Sequence, residues 1–318
     1  MRRRTLLTLP ALAALPARAQ DAFPSRPIRM VVPFPAGGAT DVWARVVAAP
    51  MAERLGQPVV IDNRSGGSGM IGTEHVAKGA ADGHTMLFSI SSFVQAPVLF
   101  RSTAYDPLSD FAPIGRMGTT ALVFCASPAM PVGSLAEFVA RARGQDLSFG
   151  SYGTGSTGHV FAQILSDHER LGMTHVGYRG EAPLLTDMLG GRVAGAFHSL
   201  TLVKEHLRNG RLKPLAFLGR DRSPAFPDVP TLLELGYPDV FGWSGFFGAW
   251  APARVPAPAR MALVDAYRAA MARPEVIRRL EEVDVIIGYA GPEAFQAEIA
   301  RTHATWLDLV TRMNIRPD

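Results

Sequence analysis

The chain has 318 residues, 47% hydrophobic and 19% charged, which is ample material for a core and excludes a disordered polymer. Its 32 Lys and Arg against 28 Asp and Glu give a net charge of +4, but Arg2, Arg3, Arg4 and Arg18 all fall in the first 19 residues, which hold no acid. Removing those four from 32 leaves 28 against 28, so charge gives no argument for binding nucleic acid or a membrane surface.

Residues 1–19, MRRRTLLTLPALAALPARA, combine a basic start, a short apolar run and an Ala17-Arg18-Ala19 cleavage site. That is the pattern of an export signal removed from the mature protein, and the run is too short to span a bilayer. The expectation is a cleaved leader and an exported, soluble mature protein. Arg3-Arg4-Thr5-Leu6-Leu7 leaves both general and twin-arginine export open. The single cysteine, Cys125, excludes an intramolecular disulfide and reads as a small buried apolar residue in a strand.

The pattern then predicts a strand over 28–32, a helix over 41–55 kinked or shortened at Pro50, a strand over 58–63, a helix over 72–78 and a strand over 85–90. This order argues a parallel, doubly wound sheet. A second unit follows, with strands over 122–127, 148–152, 175–178, 193–197 and 214–218. Between them run helices over 134–143, 156–168, 183–189 and 201–209. Ser134 and Glu137 are placed for a capping box. Residues 220–230 are turn-rich, and 241–251, FGWSGFFGAWA, are aromatic and glycine-rich. Helices are expected over 257–271, 274–283 and 292–313, with a short strand at 286–287. Phe295, Ile299, Trp306 and Leu309 on the last helix are expected to pack in the core.

Two turns stand out. Residues 30–45, MVVPFPAGGATDVWAR, run from a strand through Gly37 and Gly38 into a helix. Free N–H groups and the helix dipole make such a place an anion site. On this reading a valine at Gly37 would fill the position of a ligand carboxylate. Asp41 is open to a plainer role, stabilising its own first helical turn. Residues 153–158, GTGSTG, also follow a strand and open a helix. They match a dinucleotide fingerprint formally, with Arg179 where a 2′-phosphate would be met, so an NADP-dependent oxidoreductase is the alternative. Simple anion binding fits better, because about 120 residues of a separate unit come first. No G-x-S-x-G, P-loop or H-E-x-x-H pattern occurs, so no catalytic residue, metal or cofactor is expected. Two N–H-rich turns suit a ligand with two polar ends. Charge-assisted bonds contribute about 1.5–3 kcal/mol each, and micromolar binding needs about −8 kcal/mol.

PFPAGGATDVWAR, VIDNRSGGSGMIGT, YDPLSDFAPIG, FGSYGTGSTGH, YRGEAP and RSPAFPDVPTLLELGYP together resemble the Bug receptors, the periplasmic solute-binding proteins of tripartite tricarboxylate transporters. The resemblance runs from about Phe23 to the C-terminus. It implies a periplasmic-binding-protein fold, two doubly wound α/β domains with a ligand cleft between them, closing by a hinge. Residues 24–123 plus 243–318 would form one domain and 124–242 the other. It implies a non-enzymatic receptor for a small organic acid, partnered by membrane transporter subunits, with a monomer as the default. A sensory subunit is a further reading. By position, Phe34, Ala36, Gly37, Gly38, Ala39, Thr40 and Asp41 match the first ligand loop. Thr154, Gly155, Ser156 and His159 match the second, and Tyr178, Arg179 and Gly180 an element beside the pocket. His198 stands where many members carry Asp or Asn. It is either a cleft residue favouring an anion or aromatic acid, or a hydrogen-bonded histidine without ligand contact.

Overall fold

A computed structural model describes residues 23–100 and 103–313, so the expected leader at 1–19 lies outside the described residues. The chain opens with β1 (Ile28–Val32), α1 (Ala39–Leu55), β2 (Val59–Asn63), α2 (Met70–Ala77), β3 (Thr85–Ile90), α3 (Ser92–Leu99) and β4 (Phe111–Thr120). It continues as β5 (Leu122–Ala126), α4 (Leu135–Ala142), β6 (Ser148–Ser151), α5 (Thr157–His168), β7 (Thr174–Gly177), α6 (Glu181–Leu189), β8 (Gly195–Ser199), α7 (Leu200–Arg208) and β9 (Lys213–Leu218). It ends with β10 (Phe247–Pro252), α8 (Ala257–Met271), α9 (Pro274–Glu282), β11 (Val285–Ala290) and α10 (Pro292–Met313).

Two sheets form. The first has the order β11-β4-β10-β3-β1-β2 and the second β7-β6-β8-β5-β9. Only Ala121 separates β4 of the first from β5 of the second, and the chain returns through residues 219–246 into β10. Each sheet is covered on both faces, because successive strand residues point to opposite sides. In β1, Met30 and Val32 join the layer of α1 and α8, while Val31 faces the other layer with Phe93 and Phe295. In β5, Phe124 packs with α4 and α5, and Val123 and Cys125 with α6 and α7. Cys125 is fully buried, and burial pushes its thiol up.

The sheets are mixed rather than parallel throughout. β2-β1-β3 and β7-β6-β8 run parallel, whereas β10, β4, β11, β5 and β9 join antiparallel. Helix α1 passes through Pro50 without ending there, since Val47, Ala48, Pro50 and Met51 are all buried. Packing of that face outweighs the lost hydrogen bond. Ser134 caps α4 by accepting from the Glu137 N–H, but Glu137 takes the Gly133 N–H instead of closing the box on Ser134. Helix α10 straddles both halves. Phe295 and Ile299 pack with the first sheet's layer, and Trp306, Leu309 and Val310 lie in the cluster over the second. Among the described residues no helix is long and apolar enough to cross a membrane.

Candidate functional site

The turn after β1 is built around Asp41. Its carboxylate accepts from the Gly37 N–H at 3.0 Å, from Arg45 Nε and Nη2 at 2.9 Å each and from Asn63 Nδ2 at 3.0 Å. Asn63 also reaches the Phe34 carbonyl at 3.1 Å, tying the turn to β2. Burial raises the carboxyl pKa, but the bonds from Arg45, Gly37 and Asn63, with the Arg45 charge, outweigh it and hold the group below its usual range. Gly37 has φ +79°, and a Cβ there would meet nothing within 4 Å. The Gly37 N–H is committed to Asp41, and any side chain placed there would strain the backbone. The Asp41→Asn variant is expected to lose about 1–3 kcal/mol of unfolding free energy at neutral pH. With the folded-state pKa below 3.8, this contribution is complete above that value and is lost as pH falls through the folded pKa. Urea unfolding at pH 7 and again well below pH 3.8 should show the gap to wild type narrowing in acid. A constant gap would mean that the charge of Asp41 does not stabilise the turn.

The second turn, after β6, satisfies its own donors. Ser156 N–H bonds to the Gly153 carbonyl at 3.1 Å, and Ser156 Oγ caps α5 by accepting from the His159 N–H at 3.3 Å. Gly155 N–H donates to His159 Nδ1 at 3.1 Å, and Gly158 N–H to the Tyr152 hydroxyl at 3.1 Å. Burial, with His175 stacked 3.8 Å away, pushes the His159 imidazole down to about 3, so it stays neutral and can accept. What this element sends toward the first sheet is Tyr152 and Thr157.

A cavity of about 50 Å³ lies between the two sheets, room for roughly three or four water molecules by volume. Phe34, Trp43, Tyr152, Trp243, Phe246 and Phe247 form its aromatic wall. Thr40, Ser91, Thr119, Thr120, Thr157 and Ser199 supply hydroxyls, and Glu181 is the one ionisable acid or base on the wall besides the Tyr152 phenol. Both halves meet around it. Trp43 Nε1 donates to Thr201 Oγ1 at 3.1 Å, Thr157 Oγ1 to Gln95 Oε1 at 3.0 Å, and Lys204 pairs with Asp284 at 2.9 Å.

Of the residues expected from the sequence, Phe34, Gly38, Ala39 and Thr40 are on the wall. Ala36 and Gly37 are exposed, and Asp41 sits behind the turn it organises. Thr154, Gly155, Ser156 and His159 shape the second turn without lining the cavity. Tyr178 donates to Asp187 at 3.0 Å, and burial together with that bond raises its phenol to about 12. Arg179 is exposed and off the wall. His198 is fully buried on β8 opposite Val123, on the face covered by α6 and α7, and burial with nearby His206 pushes it down to about 3. It does not line the cavity. Trp43, Tyr152, Thr157, Glu181, Ser199, Trp243, Phe246 and Phe247 were not singled out in sequence. Trp43 and Glu181 fall inside the motifs PFPAGGATDVWAR and YRGEAP, so the signal was present but unassigned.

The Gly155, Gly158 and His159 N–H groups of the second turn are already taken, and the nicotinamide alternative is not supported. Comparison with known proteins agrees. Residues 43–315 match the family described as tripartite tricarboxylate transporter family receptor. Protein BugT of Bordetella pertussis (strain Tohama I) is 42% identical over 239 residues, 73% of this chain and 72% of that protein. The periplasmic binding protein BugD superposes with a TM-score of 0.88 at 31% identity, covering 93% of this chain and 100% of that one. R. palustris Rpa4515, solved with adipate, gives 0.87 at 31% identity with the same coverage. With two α/β halves enclosing one cavity and a family match over most of its length, the chain belongs to the receptor family of the tripartite tricarboxylate transporters.

Proposed function

We propose that this protein captures a small carboxylate in the cavity between its two sheets and presents the closed form to a membrane transporter of the tripartite type. No bond is made or broken in the process. The observation that carries the reading is the position of the α1 N-terminus, which brings Gly38, Ala39 and Thr40 to the wall of a cavity enclosed by both halves. Gly38 N–H goes to the Pro35 carbonyl and Ala39 N–H faces Glu181, which leaves Thr40 as the first-turn residue to meet an anion, where the helix dipole favours one. The adipate held by Rpa4515 is a ligand of this chemical kind. Residues 24–123 with 243–318, and 124–242, would be the two closing bodies. They would hinge at Ala121 and within 219–246, with the end of α10 reaching across. Phe34, Gly38, Ala39 and Thr40 would touch the ligand. Thr154, Gly155, Ser156, His159 and Tyr178 would hold the opposite wall in shape. The protein would work as a monomer in the periplasm after loss of residues 1–19.

A thermal-shift screen against mono-, di- and tricarboxylates and aromatic acids, with NADPH as a counter-ligand, tests this. Binding at a hundred times Kd stabilises by about 2.7 kcal/mol, a shift easily read. At least one acid is expected to raise Tm and NADPH to leave it unchanged. Stabilisation by NADPH alone would overturn the reading.

A further inference from the structure

Among the described residues Glu181 is the one carboxylate on the cavity wall, and no Lys, Arg or His of them lines that wall beside it. It is the first residue of α6, and it follows Gly180, whose φ of +148° turns the chain in past Pro35. Its Oε1 accepts from the Ser199 N–H at 2.7 Å and its Oε2 from Ser199 Oγ at 2.8 Å. The Ala39 N–H, at the start of α1 in the other half, also favours the charged form. Two oxygens offer about four acceptor positions, and the two bonds from Ser199 leave capacity toward the cavity. Burial is the largest influence on this carboxyl and, against the bonds from Ser199 and Ala39, raises its pKa; among the described residues no cation on the wall relieves it. The six aromatic side chains around it present electron-rich faces and exclude water.

A ligand carboxylate placed beside Glu181 would either set two like charges together in a poorly hydrated space or require Glu181 to stay protonated, whereas a cationic ligand would favour its charged form. A nitrogen carrying N–H bonds would instead complete the acceptor shell of Glu181, and an ammonium would gain the ring faces as well. We propose that Glu181 is a specificity-determining residue of this cavity: it selects an acid whose other end is a hydrogen-bond-donating nitrogen and disfavours a dicarboxylate. The acid's single carboxylate would be met by Thr40 and Ser91. This rests on the carboxylate-receptor reading above and narrows it.

Two matched ligand sets test the assignment by isothermal titration of the full mature chain. One is glutarate, glutaramate, 5-aminopentanoate and pentanoate. The other is terephthalate, 4-carbamoylbenzoate, 4-(aminomethyl)benzoate and 4-methylbenzoate. In at least one set the amine or amide is expected to bind wild type at least tenfold more tightly than both the dicarboxylate and the methyl analogue. Glu181→Gln keeps an acceptor for the Ser199 N–H while removing the charge, and should bring the ratio of amine to dicarboxylate below threefold. A dicarboxylate that binds wild type as tightly as its amine partner, or a ratio unchanged in Glu181→Gln, overturns the role of Glu181 and leaves the receptor reading standing. Failure of every compound in both sets while another acid of the thermal-shift screen binds overturns the role of Glu181 alone; failure of that whole screen overturns the receptor reading, and this one with it.

Discussion

Gly180→Val is expected to weaken ligand capture by about 10- to 100-fold, the overpacking cost of roughly 1–3 kcal/mol expressed in affinity. A Cβ at Gly180 would stand 2.5 Å from Pro35 Cδ, across the cleft. That clash exists only while the halves are together. The backbone strain of a side chain at φ +148° exists in every folded form, so it lowers Tm instead. The two effects therefore separate: stability reports the strain and affinity the clash. Pro35→Ala placed in the Gly180→Val background removes the ring carbon that is struck. It should restore most of the affinity and none of the Tm. Titration with the tightest acid from the screen measures both, and wild-type affinity in the single variant would show that Gly180 and Pro35 do not meet in the bound form.

Trp43→Ala is expected to cost about 3–5 kcal/mol of stability, a large part of a total that for most domains is 5–15 kcal/mol. The side chain is 3% exposed and stacks on Phe247 with ring centroids 4.0 Å apart. It fills space under α1, lines the cavity, and crosses to the second half through Thr201, which itself donates to the Val283 carbonyl. Trp43→Phe keeps a ring on Phe247 and loses the indole N–H together with part of the bicyclic ring. It should retain most of the stability and weaken ligand binding by about 0.5–1.5 kcal/mol, the net value of one hydrogen bond. Chemical denaturation of both variants, with titration of the second, checks the division. Equal stability of Trp43→Ala and wild type would mean that the cavity wall is not part of the packed core.

Much of this architecture was legible because its signals are local. Strand β1, helix α1, the Ser134 cap and the amphipathic α10 follow from periodicity and capping. Strands β4 and β10 were not legible. Their glycines and prolines look like turn composition, yet Gly118 and Gly248 lie where a Cβ would strike backbone of the neighbouring strand. Close approach of backbones, which only the assembled sheet reveals, put glycine into strand interiors. The site divided in the same way. Phe34 to Thr40 could be named because strand, turn and helix are contiguous. Glu181, Ser199, Thr119 and Trp243 come together only through folding, with Glu181 set against Ala39 some 140 residues away. Gly37, Gly155, Ser156 and His159 have the composition of a ligand cradle, but Asp41, His159 and Ser156 take the donors first. A side chain within hydrogen-bond reach competes with any ligand for the same N–H, and composition does not say which wins.

The most direct test of the account is a crystal structure of the mature protein grown with the tightest-binding acid from the screen. The expected result is one molecule of that acid between the two sheets, touching Thr40 and the aromatic wall of Trp43 and Trp243, with the halves in the contacts made by Trp43 with Thr201 and Thr157 with Gln95. An acid held anywhere else, such as the outer groove beside Arg260 and Arg268, with the cavity between the sheets empty, would contradict it.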